Sequence, residues 1–298
     1  MMTRVANAPP IGFSRGGRRR GSVLILVLVV VVVCLSLSGG IQQTLFRRNM
    51  AHRVADNEVK LRAALMLALQ EGAALLAKDE DPAVDHAGEM WMRPRDYETS
   101  EGVRVRLFLV DAQDRFNVNH LTIPSRPGEV RGAWDVFEAL STAESAPDPE
   151  RFRRVRMRLQ GEELRFPAVE TFLAWNEEEP LPVPVGLLTA LPHPEKRWLP
   201  VNLNTVRPEV LRAMVGSSLD AWTDTVLNAR EMEPIRNVGT QTRMFPASVR
   251  SALSSVFDVR SRYVELRAEA ETDSTVKTLK ALLERSREGG VEVVRCQW

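Results

Sequence analysis

Apolar residues fill the chain from Val23 to Leu37 with a single hydroxyl among them, and no charged residue occurs from Gly21 to Phe46. A helix of about 20 such residues, rising 1.5 Å per residue, crosses a hydrocarbon layer of roughly 30 Å. The densest part is shorter than that, and is equally the length of a signal-peptide core. From Arg47 to Lys78 the pattern changes without a break: there is no proline and one glycine. Leu61, Leu65, Ala68, Leu69, Leu75 and Leu76 recur at three- and four-residue steps, with Lys60, Arg62, Gln70 and Glu71 on other faces. This spacing predicts that the apolar helix continues into an amphipathic one. Lys78 supplies a cation at its C-terminus and Asp79 to Pro82 ends it.

The period then falls to two. Val103, Val105, Leu107 and Leu109 alternate with Arg104, Arg106 and Phe108, which predicts a half-buried strand. Short helices are predicted over residues 134–140, 151–159, 166–175, 208–215, 219–231 and 246–257. Pro208 with Thr205, and Ser218, mark helix starts, and Gly216 a stop. Strands return over residues 263–271, 275–283 and, after Gly289-Gly290, 291–296. One strand before the helices and a meander after them predict an α+β chain whose antiparallel sheet is interrupted by a helical insertion.

Charge orients the chain. Arg4, Arg15, Arg18, Arg19 and Arg20 precede the apolar segment with no acid among them, which keeps that end in the cytoplasm. The whole chain carries +1, so the part beyond Gly21 sums to −4, which argues against the broad basic footprint of a nucleic-acid binder. Cys34, in the apolar run, and Cys296, near the end, are not expected to meet in a disulfide. His52, His86, His120 and His193 are scattered, with no metal-ligand spacing, nucleophile elbow or phosphate loop, so neither catalysis nor an organic cofactor is expected. His120 is expected at a surface or strand end.

Three stretches and the leader resemble one family. Gly21 stands directly before the apolar run and follows Arg18-Arg19-Arg20, as the processing glycine of a type IV prepilin does. Asp111-Ala112-Gln113-Asp114-Arg115-Phe116-Asn117-Val118-Asn119-His120-Leu121 resembles the D-x-Q-G-R-F-N-L-N-x-L stretch of the K-type minor pseudopilins of type II secretion, the GspK family. Pro200 to Leu211, with Asn202, Asn204 and Thr205, is similar to the family's P-x-x-V-N-x-N-T segment, and Tyr263, Arg285 and a terminal Arg295-x-x-Trp298 complete the order. Most pilin-like subunits carry a glutamate at the fifth mature position. Counting from Ser22 that position is Leu26, and the K-type subunits likewise lack the acid.

The resemblance implies a type IV pilin-like fold, a long N-terminal transmembrane helix packed on an antiparallel sheet with a helical, SAM-like insertion. Its expected parts are a leader (1–21), a membrane helix (22–46), a periplasmic continuation (47–80), a first sheet portion (81–125), an abbreviated insertion (126–258) and closing strands (259–298). Processing is expected between Gly21 and Ser22, with methylation. The implied place is the inner membrane, single-pass, with the C-terminal domain in the periplasm. The implied partners are other minor pseudopilins of I and J type, the major pseudopilin, the prepilin peptidase and the inner-membrane assembly platform, and no nucleic acid. The implied function is a non-enzymatic part of the pseudopilus tip that promotes export of folded proteins. A minor pilin or competence pseudopilin that binds DNA or a surface, and a signal-anchored periplasmic enzyme, are the alternatives.

Two local features are read both ways. Calcium, associated with the family, would use Glu177, Glu178 and Glu179, yet consecutive acids point in different directions and form a solvated turn. The Asn117/Asn119 and Asn202/Asn204 pairs could recognise a ligand through their amides. Their ordinary role is to close turns and cap helices by bonding nearby backbone. The 202–215 segment also resembles a helix-hairpin-helix, with only Arg207 and Arg212 as cations, and is read as structural.

Overall fold

The computed structural model describes residues 19–123, 131–141, 149–160, 164–175, 184–192, 198–272, 275–286 and 289–298. The chain divides into two compact units, Met1–Val59 and Lys60–Trp298. Helix α1 (Arg19–Ala77) contributes to both.

In the first unit α1 is the only described element, and every described side chain from Val23 to Asp56 is exposed. The segment is long and apolar enough to cross a membrane. Two of its hydroxyls bond back to the helix: Ser36 donates to the Val32 carbonyl at 2.8 Å and Thr44 to the Gly40 carbonyl at 2.9 Å. That local bonding lowers the cost of placing polar residues in an apolar helix.

In the second unit the amphipathic part of α1 covers one face of a five-stranded antiparallel sheet. The strands are β1 (Arg95–Glu98), β2 (Arg104–Asp111), β7 (Tyr263–Thr272), β8 (Thr275–Arg285) and β9 (Val291–Gln297), in the order β1-β2-β7-β8-β9. Leu61, Ala64, Leu65, Ala68, Leu69 and Leu76 pack on Val105, Leu107 and Leu109 of β2, Leu266 and Ala268 of β7, and Leu279 and Ala281 of β8. Each leucine buried this way contributes about 1.5–3 kcal/mol. The only glycine of the amphipathic stretch, Gly72, lies where a Cβ would come within 2.3 Å of Leu266 Cδ1.

The helices lie between β2 and β7 in sequence and build a second core. They are α2 (Ala133–Leu140), α3 (Pro149–Gln160), α4 (Val169–Trp175), α5 (Pro208–Val215), α6 (Asp220–Met232), α7 (Val238–Gln241) and α8 (Ala247–Val256). Phe116, Phe137, Phe166 and Phe172 meet in it ring against ring, mostly edge to face, and Leu203, Val210, Leu211 and Leu253 belong to the same core. Two short parallel pairs stitch this region. In one, β3 (Phe116–Asn117) lies beside β4 (Leu188–Thr189); in the other, β5 (Val201–Asn202) lies beside β6 (Phe257–Asp258).

Several expectations shift. Two strands rather than one precede the helices in the main sheet, because Arg95–Glu98 pairs with Arg104–Leu107 at the edge. The helix expected to begin at Phe166 begins at Val169, and the one expected to reach Phe257 stops at Val256, where Phe257 pairs with Val201. Pro208 opens α5 and Gly216, at φ +75°, closes it, as the sequence predicts.

Candidate functional site

The two asparagine motifs are built alike. Each first asparagine ends a two-residue parallel pair and folds its side-chain oxygen onto the amide of the second: Asn119 N to Asn117 Oδ1 is 3.1 Å, and Asn204 N to Asn202 Oδ1 is 2.9 Å. Each second asparagine then clasps a distant backbone residue in both directions. Asn119 donates to the Phe166 carbonyl at 3.0 Å and accepts from its amide at 2.8 Å. Asn204 does the same with Ile235 at 3.0 and 2.8 Å. All four asparagines are buried. The local turn is as expected from sequence, and the remote clasp adds that these amides are spent on the fold.

Between the two cores lies a buried polar junction. Arg285, at the end of β8, donates to Asp79 Oδ2 at 2.5 Å and to Asp85 Oδ1 at 2.5 Å. Asp85 also accepts from the Ser261 amide at 2.6 Å, and Asn202 donates to the Asp85 carbonyl at 3.1 Å and to Ser261 Oγ at 2.9 Å. Burial is the largest influence on Asp85 and pushes its carboxyl up, with Arg285 opposing. One residue row away, Asp111 accepts from Ser261 Oγ at 2.5 Å, from the Gln113 amide at 2.7 Å and from Thr205. None of these donors is charged, so burial holds Asp111 up at about 6. Gln113 completes the joint, accepting from the Arg262 and Tyr263 amides at 2.5 and 3.0 Å and donating to the Pro200 carbonyl.

This arrangement clamps backbone to backbone. It joins the segment after α1, the end of β2, the start of β7, the end of β8 and the second asparagine motif. A cavity of about 450 Å³ lies beside it, lined by Asp79, Asp81 and Glu89. Those acids already face cations or imidazole: Asp79 meets Arg285, Asp81 meets Arg236 at 3.3 Å, and Glu89 meets His86 at 3.2 Å. Among the described residues no group of three or more metal-ligating side chains is placed to hold an ion.

The sequence-predicted residues are distributed as follows. Gly21 and Ser22 lie in the first turn of α1, and Glu177, Glu178 and Glu179 lie outside the described residues, as does His193. His120 corrects its expectation: it is buried in a short 3₁₀ turn, where its Nε2 accepts from the Leu199 amide at 3.0 Å and its ring stacks on Trp198 at 4.2 Å. The chain enters this turn directly after β3, and Val118, Asn119, His120 and Leu121 are all buried in it, which alternation alone does not register. Helices α5 and α6 are consecutive, joined by a short turn and in contact, but Arg207 pairs with Asp114 at 3.3 Å and Arg212 with Asp224 at 3.2 Å. Missed at the level of sequence were Asp85 and Asp111 as junction residues. For Asp111 the available signals were an acid closing an alternating apolar strand and its place at the head of the first motif.

No family model and no curated protein matches the chain. A chain of the GspK-GspI-GspJ complex from the enterotoxigenic Escherichia coli type 2 secretion system shares its fold, with a TM-score of 0.58 and 19% sequence identity over 84% of this chain and 98% of that one.

Proposed function

We propose that this protein is a minor pseudopilin of the K type: a non-enzymatic subunit anchored in the inner membrane by α1, with residues 47–298 in the periplasm. It would stand with I- and J-type minor pseudopilins at the tip of a type II secretion pseudopilus. The observation that carries this reading is one continuous helix, apolar and exposed on all sides through its first half and packed on an antiparallel sheet through its last. Shared fold with a subunit of the three-pseudopilin complex supports it. Within this reading, residues 1–21 are the leader, 22–46 the membrane span, 126–258 the insertion, and Gly21-Ser22 the bond cut by the prepilin peptidase. The major pseudopilin and the assembly platform are the remaining partners.

Outward-facing Ala63, Met66 and Leu67 are exposed on the side of α1 away from the sheet. Uncovered apolar positions on a helix that enters the bilayer suit side-by-side packing with neighbouring helices. A bulky helical region at the tip would then prevent a further subunit from adding above.

The test is N-terminal sequencing of membrane-extracted protein with and without a prepilin peptidase. The expected mature terminus is Ser22, and Gly21→Leu should leave the precursor uncut. A terminus near Gly39 or Ile41 would mark a cleaved secretory signal and sink the proposal.

A further inference from the structure

The sheet face turned away from α1 is mostly self-neutralised. Arg104 stands opposite Glu271 and Arg106 opposite Glu269, while Asp96 meets Arg106 at 3.0 Å. At its β8–β9 end that rule breaks. Arg267 of β7 stands directly opposite Lys280 of β8, a like-charge pair that costs stability in a sheet. Arg295 of β9, opposite Leu282, lies in the neighbouring row on the same face. The acid within this group, Glu265, is already shared: one oxygen accepts from Arg267 at 2.9 Å and the other from Arg115 at 2.7 Å. Neither Lys280 nor Arg295 forms an ion pair within 4.0 Å among the described residues, and Glu170 and Glu265 act on Arg295 only from further away.

These cations line a cleft of about 270 Å³ that opens between the sheet and the segment around Gly186 and Leu188, with Glu170 of α4 at its rim. Burial lowers the Arg295 guanidinium, so its charge is held there against a desolvation cost. A residue choice that opposes local stability marks a site kept for another purpose. The cleft also borders a free strand edge. Among the described residues nothing pairs with the outer side of β9, and a register slip at Leu282/Leu283 separates Arg295–Gln297 from the rest of that edge.

We propose that this cleft binds an extended, carboxylate-rich segment of a partner polypeptide, its backbone along the Arg295–Gln297 edge and its acidic side chains between Lys280 and Arg295. Main-chain bonding to a free edge supplies affinity, and charge chosen at alternate positions supplies selectivity. The occupant is a peptide rather than a free anion because backbone donors and acceptors and the two cations lie side by side on β9 and β8. The inference stands independently of the pseudopilin assignment, since it uses no residue of the processing site.

The experiment uses the full chain in detergent micelles and a labelled hexapeptide alternating glutamate and valine, followed by fluorescence anisotropy. Binding should weaken at least about tenfold, roughly 1.4 kcal/mol, on Lys280→Glu and on Arg295→Gln, and should weaken with added salt. Arg104→Gln, on the same face but in a neutralised pair, should leave it within about twofold. Lys280 is exposed, so its variant tests the site even if Arg295→Gln fails to fold. The proposal is overturned if the peptide shows no binding near 1 mM, a limit of about −4 kcal/mol. It is overturned equally if a glutamine-valine peptide binds as well, if Lys280→Glu is silent, or if inorganic phosphate or a short oligonucleotide displaces the peptide at matched charge.

Discussion

Asp111 is the residue whose chemistry most exceeds what its neighbours in sequence disclose. It is buried, bonded by two hydroxyls and an amide, and its carboxyl titrates near 6 rather than 3.8. Because the folded value lies above the unfolded one, folding takes up a proton. The contribution is fully favourable below the unfolded pKa and is lost as pH rises to about 6. A shift of about two units corresponds to roughly 3 kcal/mol. Asp111→Asn keeps an acceptor for the Gln113 amide and removes the charge. Its stability relative to wild type should therefore improve by up to about 3 kcal/mol between pH 4 and pH 7.5, read from urea unfolding. A difference that stays flat or worsens with pH would mean that Asp111 is not held up by burial. The local turn chemistry of Asn117 and Asn202 was legible in the motif, since an asparagine two residues before an amide folds onto it with little help. The clasp from Asn204 to Ile235 was not, because 31 residues separate them and only packing brings them together.

Among the elements, α1 was the most legible, for apolar residues at helical spacing require a buried face whatever covers it. The shortest strand of the main sheet, Arg95–Glu98, was the least: its one aromatic, Tyr97, gives no alternation, and it exists because the edge of β2 offers unpaired backbone groups. Gly72 shows how closely α1 sits on the sheet. A side chain there meets Leu266, itself fully buried, and overpacking of this kind costs about 1–3 kcal/mol. Gly72→Val should thus lower unfolding stability by about 2 kcal/mol, and Ala63→Val, on the exposed face, by under about 0.5 kcal/mol. Equal effects at the two positions would show that the helix does not seat on β7 as described.

At the scale of the molecule, the second unit has two large apolar cores, one under α1 and one among the helices, joined by the Asp85–Arg285–Asn202 junction, and a small third cluster around Tyr263. Breaking a buried ion pair from one side leaves an uncompensated charge, at a cost of about 3–5 kcal/mol. Arg285→Met removes the cation that both Asp79 and Asp85 share. The wild-type unit should unfold in one transition. The variant should separate, with Trp134 and Trp222, in or against the helical core, reporting at a different denaturant concentration from the sheet's circular dichroism. Coincident transitions in the variant, with only a modest loss of stability, would show that the cores are coupled by some other contact.

The sequence alone determined the apolar span, the amphipathic continuation, the order of strands and helices, and the turns at the asparagine motifs. These follow from spacing along a few residues, where the relevant forces are local or where one apolar stripe simply must be covered. Tertiary structure decided which groups meet across 13 to 200 residues. It paired Arg285 with Asp85, buried His120 against Trp198, and set Lys280 opposite Arg267 beside an open strand edge. Such encounters depend on register and on how two cores dock, and strand register is fixed only when the whole sheet closes on its covering helix. The polar junction and the basic cleft are consequences of that closure.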